Sequence, residues 1–459
     1  MYHQIFHMGN IVFYCMLGIS VFLLLHKIVY HIVGLFPAKK FPDAKKDHKY
    51  AFLIPARNES RVIEDLLLSI QEQDYNHDLI YTYVIVESQD DPTCEIVKRY
   101  KNTEVFIRQK LELKGKGHAL NECVQYIFNS GEKYDAFFIC DADNIVSKTF
   151  VKEMNKTYDA GYKIALGYRN SKNWNDGWVA ACSALTFSMV NTFHNKCRAR
   201  FNCNVVVSGT GFYIACEILE KIGGWNFYTL TEDYELSLFA CLNNIKSTYN
   251  EQAEFYDEQP TKIKVSWNQR LRWVKGHSQV DKKYQKKLIK SAVFDKENRW
   301  CKAEFALSIL PVVTLLITAF SYAIFTFLLA IVGACINAYS WTRVFMAFGI
   351  STFAIYFFFV CYTLVLALAE RKHTNLKFKN IITCALMGPW FMGLYIPIYF
   401  ASIFKKEVKW IPIVHYVSMN KNSKIEIELE ESKSARKIDD AQSLIIMGEI
   451  SKQKEEKSD

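Results

Sequence analysis

The sequence predicts an α/β domain built on a mostly parallel sheet and joined to α-helical membrane segments. Three observations predict it. Between residues 50 and 167, short apolar runs alternate with stretches of helical spacing, the pattern of strands buried on both faces by crossover helices. Runs dominated by Phe, Leu, Ile, Val, Ala and Tyr cover residues 10–35 and 304–404, longer than the roughly 20 apolar residues that cross a bilayer core. Acidic and polar residues close several of the apolar runs, and open α/β sheets bind ligands beyond the carboxyl ends of their strands.

In chain order, residues 10–35, followed by Phe36, predict a spanning helix. Its positive charge follows the apolar run (Lys39, Lys40, Lys45, Lys46). A cleaved signal peptide carries its charge first, so this helix is expected to be retained, with Lys39 onward in the cytoplasm. Residues 50–54 form the first strand, ended by Pro55, and Val62, Ile63, Leu66, Leu67 and Ile70 have helical spacing. Strands at 81–86, 105–107 and 136–140 follow, with helices at 93–100 and 117–129 between them. Then come a strand at 164–167, a long helical region at 177–196, a turn-rich SGTGFYI (208–214) and a helix after Thr231. Residues 251–265 read as polar and extended, and a basic helix starts near Trp267.

Three apolar segments follow at 304–336, 343–369 and 380–404. Gly388-Pro389 and Pro397 interrupt the last one. A re-entrant or interfacial hairpin there would leave the tail on the same side as Lys405, Lys406 and Lys409. The layout is thus 1–36 as an N-terminal transmembrane helix, 48–280 as the globular domain and 281–303 as a basic interfacial region. Residues 304–404 form the membrane region, and 405–459 a charged, largely disordered tail with a short apolar patch at 443–447.

The net charge of +9 does not point to nucleic acid. The lysines cluster beside apolar runs, as at Lys282, Lys283, Lys286, Lys287 and Lys290, which is how membrane flanks meet anionic lipid. The 13 cysteines are scattered without a CxxC pair, and read as reduced, small hydrophobes rather than a disulfide framework or zinc site. A transporter would carry buried charges inside its membrane segments. Between 304 and 369 only Glu304 and Arg343 qualify, both near segment ends.

Four groups of residues can carry chemistry. ESQDD, with Glu87 and Asp91, follows the second strand, and DADN, with Asp141 and Asp143, follows the fourth. Carboxylates at adjacent strand ends can converge on one ligand, and a D-x-D pair suits a divalent cation that borrows phosphate oxygens for the rest of its shell. KGKG, with Lys114 and Lys116, precedes a helix start and could cradle a phosphate. It lacks the Walker A spacing, which disfavours ATP hydrolysis. In TEDYE, Asp233 is the candidate general base, although Glu232, Asp233 and Glu235 also suit the first turn of a helix. QRLRW supplies Gln269, Arg270, Arg272 and Trp273. Its arginines could hold a leaving diphosphate and its tryptophan could stack on a sugar, or the stretch could be a basic helix on the membrane surface.

Together, PARNE (Pro55, Arg57 and Glu59 among its residues), the D-x-D after a strand, TED and QRLRW resemble the family 2 membrane glycosyltransferases. That group includes cellulose, hyaluronan, chitin and poly-N-acetylglucosamine synthases. The resemblance covers about 50–280 well and the membrane region loosely. It implies a GT-A (Rossmann-like) fold, an inverting single displacement, a UDP-sugar donor, and Mg²⁺ or Mn²⁺. It places Pro55, Arg57, Glu59, Glu87, Asp91, Lys114 and Asp141 at the nucleotide-sugar and Asp143 at the metal. Asp233 takes the base position. Gly209, Thr210, Glu232, Gln269, Arg270, Arg272 and Trp273 fall on the acceptor and diphosphate side.

Two departures stand out. Glu87 stands where Asp is usual, and the FxVTxK signature of cellulose synthases is absent, with WIPIVH (410–415) in a comparable place. The expectation is a plasma-membrane enzyme with a cytoplasmic catalytic domain, extending a polysaccharide and coupled to its export, with accessory export subunits as partners. A lipid-linked acceptor receiving one sugar is the alternative. Trp341, Trp390, Tyr395 and Tyr399 would suit a sugar path or an interfacial aromatic belt. The donor sugar is not written in any spacing.

Overall fold

The computed structural model describes residues 2–336, 340–405 and 408. WIPIVH, Lys406, Lys409 and the patch at 443–447 lie outside the described residues. The elements run α1 (Tyr2–Gly34), β1 (Tyr50–Pro55), α2 (Ile63–Gln71), β2 (Ile80–Val86), α3 (Thr93–Val97), β3 (Thr103–Ile107), α4 (Lys116–Ser130) and β4 (Ala136–Ile139). They continue with β5 (Ile145–Val146), α5 (Phe150–Asp159), β6 (Ile164–Ser171), α6 (Trp178–Val190), α7 (Lys196–Arg200), β7 (Phe212–Ala215), α8 (Cys216–Ile222), α9 (Glu232–Leu242) and β8 (Ser247–Asp257). The last are α10 (Ile263–Phe294), α11 (Arg299–Cys335), α12 (Trp341–Ala369), α13 (Phe378–Gly393) and α14 (Tyr395–Phe404).

The strands form one sheet in the order β3-β2-β1-β4-β7-β6-β8-β5. The first four are parallel, with β1 between β2 (Leu53 beside Tyr83) and β4 (Leu53 beside Ile139). Every residue from Tyr50 to Ile54 is fully buried, so β1 has no solvated face and needs none of the period-2 alternation of a half-exposed strand. β7 then runs antiparallel to both β4 and β6. β8 is the strand that the polar reading of 251–265 missed. Most of its polar side chains are buried or half-buried, and the ones that tie it in are partnered: Asn250 donates to the Glu153 carbonyl at 2.9 Å, and Glu254 accepts from Asn170 at 2.7 Å. A buried hydrogen bond costs little where an unmade one costs much, so a polar strand inside a sheet leaves no hydrophobic signal.

The helical region expected at 177–196 is α6, a π-helical stretch at Asn191–Asn195, and α7. The boundary placed at 280 falls inside α10, which runs unbroken through the basic stretch to Phe294. Beyond it, Phe348–Ala369 and Phe378–Phe404 are long and apolar enough to cross a membrane. α1 and α11 contain the shorter apolar stretches Asn10–Ile19 and Ser321–Cys335. On α12, Phe353, Phe357 and Phe358 are more than half exposed, an apolar surface that a water-facing helix rarely keeps.

The apolar helices are fastened to the sheet domain through buried polar contacts. Glu304 of α11 takes Lys27 of α1 at 2.7 Å and pairs with Arg198 of α7. Glu370, just past α12, accepts from Tyr168 of β6 at 2.6 Å and from Thr192. α13 packs on α12 and α6, and α14 on α10, with Lys275 donating to the carbonyls of Ser402 and Lys405 at 3.0 and 2.6 Å. The Pro-bearing segment is therefore a helix pair seated against the globular domain.

Candidate active site

The centre of the site is a cation that ties three chain segments together. Lys116, the first residue of α4, donates to the Asp141 carboxylate beyond β4 and to the Gly209 carbonyl at 2.7 Å. Gly117 lets α4 begin there: a β-carbon on it would lie 2.0 Å from the Phe227 carbonyl. Gly209 holds a φ of +86°, a conformation cheap only for glycine, and its α-carbon lies beside Asp233, whose Oδ2 is 3.5 Å from where a β-carbon would stand. Thr210 accepts from the Asp141 amide at 2.8 Å and is itself held by Asn144. The SGTG turn, D-x-D and TED thus meet at one lysine.

Burial dominates the electrostatics. Glu232 is pushed up to about 7 by burial, then by the neighbouring charge of Asp233, while Lys116 and Arg272 work against the shift. Asp233 is raised too, again mainly by burial, with Lys116 and Arg272 opposing. For Lys116 burial disfavours the charged form, but the Asp141, Glu232 and Asp233 charges outweigh it and hold the lysine above its usual value. Two carboxylates sharing a buried site cannot both ionise freely. Of the pair, Asp233 is the more accessible and Glu232 the buried one. Glu235 of the same motif is a helix tie instead: it is fully buried, and accepts from the Thr229 amide at 3.1 Å, from Tyr284 at 3.3 Å and from Lys283.

The other predicted residues fall into separate places. Glu87 pairs with Arg57 at 2.9 Å and lies 3.7 Å from Arg108, making a charged rim beyond β1, β2 and β3. Asp91 is used internally: its oxygens accept from the Asn58 amide at 2.8 Å and the Thr93 amide at 2.9 Å. It therefore locks the PARNE loop onto the start of α3, where Thr93 also accepts from the Glu59 amide at 3.2 Å. Pro55 ends β1 in register with Ile85. Lys114 is exposed, and the working lysine of KGKG is Lys116. Trp390 and Trp341 point outward, at 68% and 44% exposed.

The two arginines of QRLRW diverge. Residues two apart on a helix lie about 200° apart around its axis, so they cannot share a face. Arg272 acts on Glu232 and Asp233. Arg270 is buried against Phe391 and Tyr395, and its Nε donates to Ser266 at 3.1 Å. Trp273 meets Phe187 edge-on, with ring centroids 5.7 Å apart, and Gln269 is partly exposed.

Asp143 accepts from the Glu258 amide at 3.2 Å and from Asn144 at 3.3 Å. Its charge reaches Asp257, whose carboxyl is raised first by burial and then by Asp143. Among the described residues no group of three or more His, Cys, Asp or Glu side chains could hold an ion. That donor set fits Mg²⁺ or Mn²⁺ only in the manner of a phosphate-bridged ion, bound by one or two carboxylates plus substrate oxygens.

Sequence reasoning passed over Arg108, Glu122, Arg169 and Asp257. Arg108 follows β3 directly and bonds Glu122 at 2.7 Å and the Leu113 carbonyl at 2.7 Å, shaping the loop before KGKG; its position at a strand end was a readable signal. Arg169 grips Asp257 through two nitrogens, donates to the Ser208 carbonyl at 2.7 Å and stacks 3.7 Å from the Phe187 ring. It thereby links the D-x-D side to the SGTG turn and, through Phe187, to Trp273. Because the pair is buried, Arg169→Gln is expected to cost on the order of 3 kcal/mol or more in stability. Thermal unfolding of the purified chain checks this, with Arg169→Lys recovering only part because it keeps the charge without the two-pronged grip.

Residues 48–276 match the model of the family described as glycosyltransferase like family 2. A probable glycosyltransferase, YdaM, of Bacillus subtilis is 24% identical over 411 residues, 82% of this chain and 88% of that protein. A beta-monoglucosyldiacylglycerol synthase of Trichormus variabilis is 23% identical over 237 residues, about half of each chain (49% and 48%). Among solved structures, the mannosyltransferase PcManGT of Pyrobaculum calidifontis, in complex with GDP-Man and Mn²⁺, aligns with a TM-score of 0.56. The alignment has 16% identity and covers 87% of this chain and all of that one, a likeness of fold in a GT-A type sheet.

Proposed function

Since the chain carries a glycosyltransferase family 2 domain and is a glycosyltransferase, we propose that it transfers a hexosyl group, with inversion, from a nucleotide-sugar to a hydroxyl acceptor at a membrane. The convergence of Lys116, Asp141, Gly209, Glu232 and Asp233 carries this reading.

The nucleoside diphosphate of the donor, a UDP-sugar by the resemblance drawn above, lies over the carboxyl ends of β1 to β4. Arg57, Glu87 and Arg108 line the rim toward the nucleoside, and Asp141 and Lys116 face the sugar-phosphate. The acceptor hydroxyl sits on the Asp233 side. Asp233 takes its proton as the oxygen forms a bond to the anomeric carbon, and the bond from that carbon to the diphosphate breaks on the opposite face. Lys116 and Arg272 are the cations that oppose the negative charge of this site. Asp143, together with oxygens of the donor diphosphate, would hold a divalent ion, which would supply Lewis acidity toward the leaving group. EDTA is expected to abolish transfer, with Mg²⁺ or Mn²⁺ restoring it. Asp143→Asn should raise the metal concentration needed for half-maximal rate, as read from donor turnover.

The apolar surfaces of α12 to α14 support a membrane setting; the lysines beside the apolar runs are what supports a catalytic domain on the cytoplasmic face. The acceptor of our first reading is a growing polysaccharide, to which QRLRW and the aromatic Trp273 are suited. A lipid acceptor taking one sugar is the second reading, favoured by the match to a glycolipid synthase and by the placement of Arg270 among the apolar helices. Product length from purified protein decides: a ladder of oligomers supports the first, and a uniformly monoglycosylated lipid overturns it.

A further inference from the structure

Arg270 is a buried charge whose environment is incomplete. The residue is 2% exposed. Its guanidinium carbon stands 3.9 Å from the Phe391 ring centroid and 4.9 Å from that of Tyr395. Nε is satisfied by Ser266, but among the described residues Nη1 is buried with no hydrogen-bond partner. Among the described residues no carboxylate forms an ion pair with it.

Leaving such a group alone is expensive. An unpaired charge inside a protein costs several kcal/mol, and ring faces offset only about 0.5–2 kcal/mol of it. They offer no in-plane acceptor for an N–H. What completes this environment is an oxyanion, whose geometry matches the guanidinium fork.

The position says where the oxyanion comes from. Phe391 and Tyr395 belong to α13 and α14, within the apolar stretch Phe378–Phe404. α10, which carries Arg270, is 32 residues long and continues through Lys282, Lys283, Lys286, Lys287 and Lys290. Lys275, five residues beyond Arg270, pins the end of α14 to α10 through the Ser402 and Lys405 carbonyls. A guanidinium in an aromatic slot between a basic helix and a membrane-type helix pair suits a ligand with an anionic head and an apolar tail.

We propose that Arg270 binds the phosphate headgroup of an anionic lipid that enters between α10 and the α13–α14 pair. Transfer chemistry is not needed for this site, so it stands or falls apart from the proposed function. The site is separate from the Arg272 side of the same helix, and a lipid held there fixes how the globular domain sits on the bilayer.

The test uses the full chain in a neutral detergent, without donor, and measures binding by the rise in thermal midpoint and by calorimetry. The probes are dioctanoyl phosphatidylglycerol, dioctanoylglycerol as the phosphate-free counterpart, and inorganic phosphate. The expected result is saturable binding of phosphatidylglycerol, weaker by roughly tenfold or more in Arg270→Gln. Arg270→Lys should retain part of it, and Lys290→Gln should bind as the parent does. Equal binding of dioctanoylglycerol, or unchanged affinity in Arg270→Gln, overturns the proposal. Inorganic phosphate binding as tightly as the lipid overturns the lipid source. If Arg270→Gln does not fold, Arg270→Lys carries the measurement: full parental affinity there, with no change in the shift, overturns the fork-shaped site.

Discussion

Replacing Asp233 with Asn is expected to cut sugar transfer by about 100-fold to 10,000-fold, the usual contribution of a positioned general base. The amide keeps the size of the side chain and its place beside the Gly209 turn but cannot accept the proton. Donor affinity should change little, because Lys116, Asp141 and the Arg57–Glu87–Arg108 rim remain. The pH dependence gives a second reading of the same group. Burial raises both Glu232 and Asp233, Glu232 to about 7, so the pair holds a proton at acidic pH. A protonated carboxyl is no base, and parental activity should therefore fall as pH drops into the raised range in which Asp233 takes up its proton. In Asp233→Asn the neighbouring charge is gone, Glu232 ionises more readily, and the acidic limb of any residual activity should move to lower pH. Initial rates from pH 5 to 9 with each variant check both points. If Glu232→Gln costs more than Asp233→Asn, the two residues exchange roles.

Why the TED acids were legible while their partners were not is a matter of where signals live. TED and D-x-D are local patterns beside apolar runs, and strands β1, β2 and β4 are continuous hydrophobic stretches, so both survive in the bare sequence. β8 did not survive: its polar residues are accommodated because Asn170 and the Glu153 carbonyl complete them from far along the chain, a contact no spacing reports. Arg169 was invisible for the same reason, since its meaning comes from Asp257, Ser208 and Phe187 together. KGKG was legible as a basic, glycine-rich helix start, yet which lysine works is decided by the helix boundary. α4 begins at Lys116 and leaves Lys114 exposed in the preceding loop. In QRLRW, the helical period alone could have told that Arg270 and Arg272 face apart. What it could not tell is that the other face meets Phe391 and Tyr395, which lie in the last apolar helices of the chain.

Lys116→Met is expected to lower the transfer rate by on the order of 100-fold, as loss of one preorganised donor does elsewhere. The methionine is one atom shorter but keeps the apolar packing of the lysine stem. What disappears is the ammonium that joins Asp141, beside the metal-side Asp143, to the Gly209 carbonyl, beside the base. Three carboxylates, Asp141, Glu232 and Asp233, lose a shared cation at once. Their charged forms become harder to keep, so the acidic limb of the pH profile should move up, opposite to its movement in Asp233→Asn. A merely structural lysine would lower the rate without moving that limb. Lys116→Arg offers the control: it restores the charge on a longer, planar group, and should recover the pH limb more fully than the rate, because the fork cannot reproduce the contact of a single ammonium with both Asp141 and Gly209. Measuring kcat against pH for the three proteins settles whether the cation tunes the base or only fills the turn. A limb that stays in place in Lys116→Met would remove the lysine from the mechanism.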